Sequence, residues 1–367
     1  MRILLAGGGT AGHIEPALAV ARALQRRDSS TQCVFIGTAS GLENALIPKA
    51  GFEMHLIPKV SIPRSISPAL LAVPLQLIAS VAKTMRILKD IDCAIGFGGY
   101  VSGPLYIAAA LTRTPFVIHE QNAKPGWANR MGAYLTSRLA ISYPVHSGKL
   151  SNANLTGLPL REDVRTVAEK SRSDWNAARN QAKANVATKY SLNIKSPLVF
   201  IFGGSQGSQA INQVIQQSLP RLESMEISII HGVGGKNPLP SSQEFYKPLN
   251  YIEEMAELYL AADLIIARSG AVTCAEVSTL GRFALFVPLP FGNGEQALNA
   301  EALVLQDRAE LPLRHVPGPR RCRRLQAGVG ASPRDPPRAW RCGRRPDRRG
   351  RRRTPPPAPR PRRARRR

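Results

Sequence analysis

The chain has 367 residues, with 50 Lys and Arg against 25 Asp and Glu and a formal net charge of +25. The excess is unevenly placed: residues 314–367 hold 21 arginines, two acidic residues and 11 prolines, leaving 29 basic against 23 acidic residues before them. That partition excludes a polycation throughout, and the length excludes one small domain, because a chain of this size normally divides into two or more cores.

Five cysteines, Cys33, Cys93, Cys274, Cys322 and Cys342, are odd in number, widely spaced and without a C-x-x-C pair, which argues against zinc-ribbon or thiol redox chemistry. The opening run MRILLA reaches glycine too early for a secretory signal. The most apolar stretch, residues 69–79, contains Pro74 and Gln76 and falls short of the roughly 18 apolar residues of a spanning helix. A cytoplasmic body is expected.

Residues 2–6 read as a strand, 14–26 as a periodic helix, 33–37 as a strand and 42–50 as a helix. Such alternation argues for a parallel sheet covered by helices. Strand 91–97, a small-residue helix at 106–111 and strand 115–119 continue it. The segment TGLPLREDVR, residues 156–165, interrupts the pattern with Gly and Pro and is read as a hinge. A polar helical segment, 169–189, precedes a second series: strand 197–202, helix 210–222, strands 226–231 and 263–267, helix 271–280, strand 283–287 and helix 295–305. The expected architecture is α/β, two doubly wound halves at 1–158 and 159–313 facing a cleft. The second half reads as incomplete, since no strand-helix unit follows Leu305. The proline-rich tail, 314–367, lacks apolar periodicity and is expected to be disordered.

Three glycine turns stand at strand ends. GGGTAG at residues 7–12 satisfies G-x-G-x-x-G between a strand and a helix, where backbone amides and the positive helix end can receive phosphate. A dinucleotide site would need an acid at the end of the second strand, but that strand ends FIGT and the nearest acid, Asp28, precedes it. GGSQG at 203–207 and GFGGYVSG at 96–103 are the other two turns. Together they favour a phosphate-rich ligand in a cleft between the halves.

The motifs GGGTAGHIEPALAVA, GFGGYVSGP, HEQN, GGSQG, RSGAVTCAE, ALFVPLP and EQALNA, in order over about residues 1–310, resemble the MurG family. These are bacterial transferases that add N-acetylglucosamine to undecaprenyl-pyrophosphoryl-MurNAc-pentapeptide. The resemblance implies a GT-B fold with two Rossmann-like domains and an inverting, metal-independent reaction in which UDP-GlcNAc and lipid I give lipid II and UDP. It implies no cofactor, a peripheral place on the cytoplasmic face of the cell membrane, and no nucleic-acid partner. It puts UDP-GlcNAc contacts on Thr10, Ala11, Gly12, Asn122, Arg161, Ser205, Ile252, Ala271, Val272, Thr273, Cys274, Ala275, Glu276 and Gln296. Ala11 departs from the family's usual glycine, and Glu295 from its frequent glutamine.

Such a transfer must stabilise a departing diphosphate and deprotonate an acceptor hydroxyl. Backbone amides, helix dipoles, Ser205 and Arg161 are candidates for the first task. Glu276 is a candidate acceptor for a ribose diol; the alternative is a solvated helix carboxylate. His13, placed between the first glycine turn and its helix, is the candidate general base, its pKa lowered by the helix end. The segment 62–86 mixes apolar residues with Arg64, Lys83 and Arg86, as a face resting on anionic headgroups would; ordinary core packing is the alternative. Another GT-B glycolipid or nucleotide-sugar enzyme is the nearest rival function, and nucleic-acid binding through the tail a more distant one.

The tail contains no Lys, Ile, Phe, Tyr, Asn, Met or Glu, and the resemblance stops where it begins. Its Arg, Pro, Gly and Ala have GC-rich codons, and it reads first as an out-of-frame translation, with a nucleic-acid or anionic-lipid arm and a solvated linker as the alternatives. The expected consequence is an enzyme with its substrate-site residues retained but with poor stability and low or no activity.

Overall fold

The computed structural model describes residues 1–60, 71–290, 293–307 and 309–311, all within one compact unit, Met1–Gly330. Arg64 and the tail at 314–367 lie outside the described residues.

The first half is a seven-stranded parallel sheet: β1 (Arg2–Ala6), β2 (Gln32–Gly37), β3 (Glu53–Leu56), β4 (Cys93–Gly96), β5 (Phe116–Glu120), β6 (Leu139–Ile141) and β7 (Asn154–Leu155), in the order β3-β2-β1-β4-β5-β6-β7. Its helices are α1 (Ala11–Arg27), α2 (Glu43–Lys49), α3 (Val73–Ile87), α4 (Ser102–Thr112) and α5 (Trp127–Gly132). Alternate β1 residues explain the layering. Ile3 and Leu5 join Ile14, Ala17 and Leu18 of α1 in one core, while Leu4 and Ala6 join Leu105 and Tyr106 of α4 in the other. On α1 the buried positions 14, 17, 18 and 21 repeat with helical spacing, with Pro16 buried beside them.

Two further helices, α6 (Glu162–Ser173) and α7 (Trp175–Tyr190), precede the second sheet. Val164, Ala168, Ala182 and Val186 from them enter the core of that sheet. The second sheet is also parallel: β8 (Leu198–Phe202), β9 (Ser228–Gly232), β10 (Tyr246–Leu249), β11 (Leu264–Ala267), β12 (Ala284–Phe286) and β13 (Ala309–Glu310), in the order β10-β9-β8-β11-β12-β13. With it run α8 (Gln209–Glu223), α9 (Met255–Ala261), α10 (Ala271–Thr279) and α11 (Glu295–Leu305). All five residues of β8 are buried, as expected of a strand covered on both faces.

Several boundaries differ from the sequence reading. The second series does not stop at Leu305: β13 pairs with β12, Ala309 opposite Ala284, and Ala309 is buried. Two residues are too short a window to show any alternation. The hinge is shorter than 156–165, because α6 begins at Glu162. The polar segment read as one helix is two. Asp174 leaves helical geometry, and its carboxylate accepts from the Ala177 N–H at 3.0 Å, capping α7. Strands β3, β6 and β10 are four residues or fewer, too short a window for their pattern to decide, and are set by their parallel neighbours.

Candidate active site

In each sheet the strand order reverses between two neighbours, and a parallel sheet opens a ligand crevice at the carboxyl end of such a pair. In the first the pair is β1 and β4, with Ala6 opposite Gly96, so the glycine turns at 7–12 and 96–103 emerge side by side. In the second the pair is β8 and β11, with Phe202 opposite Ala267, so GGSQG and RSGAVTCAE emerge together. Far-separated motifs become neighbours through this topology.

The first-half turns interlock. A Cβ on Gly99, whose φ is +78°, would stand 2.3 Å from the Gly8 carbonyl oxygen, so only glycine permits the approach. His13 is the third residue of α1, not a residue ahead of it, because the helix starts at Ala11. Its Nδ1 lies 3.1 Å from Thr10 Oγ1, and an ideal Cβ on Gly98 would lie 3.3 Å from its Cδ2. Burial lowers the His13 pKa, with the nearby Glu120 charge and the Gly8 carbonyl opposing. The direction is the one expected, but burial rather than the helix end is the leading cause. Thr10 is exposed and Ala11 and Gly12 half-buried beside it.

Glu120, at the end of β5, organises the HEQN loop. Its Oε1 accepts from the Asn122 N–H at 2.9 Å and side-chain amide at 3.2 Å, and its Oε2 accepts from Gly126 N–H and Asn129 Nδ2, both at 2.9 Å. His119 is buried, with Nε2 3.0 Å from the Gly157 carbonyl and Nδ1 receiving Gln121 Nε2 at 3.1 Å. Burial lowers its pKa too, so the neutral ring ties β5 to the segment between the halves.

Arg161, just before α6, donates through Nε to Glu276 Oε1 at 2.9 Å, with Asp163 3.9 Å away. Glu276 is 2% exposed and therefore not a solvated helix carboxylate. Burial raises its pKa against the pull of Arg161, while Glu276 and Asp163 outweigh burial to raise that of Arg161. On α10, Ala271 and Cys274 are buried and Val272, Thr273 and Ala275 half-buried; burial pushes the Cys274 thiol far up, so it stays protonated.

Ser205 is half-buried in the turn after β8, Ile252 is buried beyond β10, and Gln296 on α11 accepts the Leu289 N–H through Oε1 at 3.0 Å. These three share the carboxyl edge of the second sheet, but no hydrogen bond joins them directly to His13 or Arg161 among the described residues. Across the cleft, α1 touches α10, and Asn299 of α11 bridges the halves. Its Oδ1 accepts the Ala123 N–H at 2.8 Å, and its Nδ2 donates to Asn122 Oδ1 at 3.2 Å and to the Ser269 carbonyl at 3.3 Å.

Family models match both halves: the glycosyltransferase family 28 N-terminal domain over residues 3–141 and its C-terminal domain over residues 198–315. The chain belongs to glycosyltransferase family 28. A Streptomyces coelicolor relative, 44% identical over 324 residues and covering 85% of this chain and 86% of its own, is named UDP-N-acetylglucosamine–N-acetylmuramyl-(pentapeptide) pyrophosphoryl-undecaprenol N-acetylglucosamine transferase. A Corynebacterium diphtheriae relative of the same name is 42% identical over 84% of this chain and 82% of its own. The crystal structure of Acinetobacter baumannii MurG superposes with a TM-score of 0.60 at 28% identity, covering 85% of each chain. The kitacinnamycin glycosyltransferase, at 14% identity and a TM-score of 0.58 over 85% of each chain, shares the fold alone.

Three residues outside the sequence-predicted set also shape the site. Asn299 sits inside EQALNA, but an asparagine on a helix carries no sequence signal of a partner 176 residues away. Arg268 opens RSGAVTCAE; it donates to the Val287 and Pro288 carbonyls and, at 2.8 Å, to Ser208 Oγ, fixing the second glycine turn. Glu43, in an unremarked GLEN run, is wholly buried.

Proposed function

We propose that this chain transfers N-acetylglucosamine from UDP-GlcNAc to undecaprenyl-pyrophosphoryl-MurNAc-pentapeptide, with inversion, in lipid II synthesis. The single observation that carries this reading is the 44% identity, over most of both chains, to a relative named for that reaction. Residues 1–158 serve the acceptor and the membrane, and residues 159–313 the nucleotide sugar.

In this reading the donor lies between the first glycine turn, Thr10, Ala11 and Gly12, and the second half. Ile252 meets the base, Glu276 accepts from the ribose diol, and Ser205, Arg161 and the amides of residues 271–276 hold the diphosphate. Asn122 and Gln296 meet the sugar. The acceptor hydroxyl oxygen attacks the anomeric carbon as the bond to the diphosphate breaks, and the hydroxyl proton passes to His13. A ring kept neutral by burial at pH 7 suits that role. The ribose diol would replace Arg161 as the partner of Glu276, leaving the guanidinium available to the diphosphate.

No helix among the described residues is long and apolar enough to cross a membrane. Leu75 and Ile78, on one face of α3, are 71% and 64% exposed, next to Leu71 at 81%. Lys83 and Arg86 are exposed further along the helix. An apolar face with basic residues beyond it suits peripheral attachment to anionic headgroups on the cytoplasmic face, where the lipid acceptor resides.

Radiolabelled transfer from UDP-GlcNAc to purified lipid I tests the reading. Formation of lipid II, dependent on His13, is the expected result; transfer to other acceptors with none to lipid I overturns it.

A further inference from the structure

Glu43 has no part in the chemistry just described, yet it is 0% exposed and lies behind the first-half turns. Its Oε2 accepts the Gly9 N–H at 3.0 Å. Its Oε1 accepts the Tyr100 hydroxyl at 2.6 Å and the Thr38 N–H and hydroxyl at 3.2 and 3.1 Å. Glycines surround it: a Cβ on Gly41 would stand 2.1 Å from the carboxylate, one on Gly37 2.7 Å from Cγ, and one on Gly8 3.3 Å from the carboxyl carbon. Gly9 belongs to the turn that leads into His13, and Tyr100 to the turn whose Gly98 floors the His13 ring. A buried carboxylate bonded to both turns fixes each relative to the other, because breaking either bond would strand charge in a dry site.

We propose that Glu43 is a positioning residue for the transfer reaction: by bridging the Gly9 N–H and the Tyr100 hydroxyl, it locks the two acceptor-side turns together and so fixes the His13 imidazole. The bonds from Tyr100, Gly9 and Thr38 outweigh burial and keep the Glu43 pKa below its ordinary value, while burial, with the same contact, pushes the Tyr100 hydroxyl up to about 12. The lock is therefore a carboxylate and a phenol throughout the neutral range. An amide cannot replace it, since the NH2 end of a glutamine would face either the Gly9 N–H or the Tyr100 and Thr38 donors. The effect on transfer rests on the function proposed above; the effect on the two turns does not.

The test compares the full-length parent with Glu43→Gln and Tyr100→Phe, by hydrogen–deuterium exchange and by kinetics with UDP-GlcNAc and lipid I. In Glu43→Gln, exchange should speed up together at residues 7–14 and 96–103 and little elsewhere. Its kcat should fall about 100-fold, as displacement of a catalytic group by about 1 Å predicts, with the UDP-GlcNAc KM within about twofold. Tyr100→Phe, which removes one bond and leaves the carboxylate, should show the same pattern with a loss of about tenfold. Unchanged exchange at both turns overturns the proposal. So does a kcat within about twofold of the parent, or a loss that only follows a lowered melting temperature and a raised donor KM. Should Glu43→Gln fail to fold, Tyr100→Phe decides by the same criteria. If the parent makes no lipid II, the functional reading fails, and exchange at the two turns still decides the role of Glu43.

Discussion

Both halves bury carboxylates at the carboxyl edges of their sheets, but they satisfy them in opposite ways. In the first half, Glu43 and Glu120 accept from backbone N–H groups and from Tyr, Thr and Asn side chains, with no cation bonded to either among the described residues. In the second, Glu276 faces Arg161, which comes from the segment between the halves. Hydrogen bonds to backbone amides fix a loop, because the donors cannot leave without unfolding it. A guanidinium on a flexible stem can be exchanged for another donor. The first half is thus built as a preset scaffold, and the second holds a carboxylate whose partner a ligand can replace. The Glu43 pKa is lowered and the Glu276 pKa raised, as expected when several fixed donors outweigh burial at one while Arg161 and the Tyr259 hydroxyl do not at the other.

The sharpest break of that comparison is at His13, which depends on the scaffold and on no ion pair. His13→Ala should lower kcat by about 100- to 10,000-fold while leaving UDP-GlcNAc binding nearly unchanged, as measured by calorimetry; equal turnover removes His13 from the mechanism. Because its pKa lies below 6.5, transfer by the parent should persist to below that pH and then fall as the ring protonates. A pH–rate profile losing activity above 6.5 on its acid side would contradict this.

The exchangeable pair comes next. Arg161→Met leaves Glu276 buried without its cation and should cost about 3–5 kcal/mol in urea denaturation, whereas Arg161→Met combined with Glu276→Leu should regain most of it. Simple addition of the two losses would mean that the pair is not coupled. Both variants should bind UDP-GlcNAc poorly, which separates donor affinity from stability.

A smaller effect is expected where the first half presents its apolar face. Replacing Lys83 and Arg86 with Gln should weaken binding to anionic vesicles by about 2 kcal/mol, near 1 kcal/mol per basic residue, without altering turnover on a water-soluble acceptor. Unchanged co-sedimentation would place the membrane contact elsewhere. The smallest is at the break between α6 and α7: Asp174→Ala should cost about 1 kcal/mol by removing the cap on the Ala177 N–H. A loss measured in activity rather than in stability would tie that break to the site.

The strong elements were legible because their own residues carry the period. Strands β1, β2, β5 and β8 are apolar runs ending in turn residues, and α1 repeats its buried positions every three or four residues. Strands β3 and β10 are not, since EMHL and YKPL are only four residues long and become strands by pairing with β2 and β9. The site was legible wherever function lies within a contiguous motif, as with His13 or the run from Ala271 to Glu276. Glu43, Asn299 and Arg268 were not, because their roles rest in part on partners 34, 176 and 60 residues away, respectively.

The sequence by itself determined the alternation of strand and helix, the glycine turns at strand ends, the family resemblance and the concentration of positive charge after residue 313. These follow from local sterics, periodicity and composition, which need no knowledge of what packs where. Tertiary structure alone decided that turns about 90 residues apart in sequence interlock over one buried carboxylate, that Arg161 holds Glu276, and that Asn299 joins the halves. Burial and hydrogen-bond satisfaction are properties of assembled surfaces, so no window of sequence contains them.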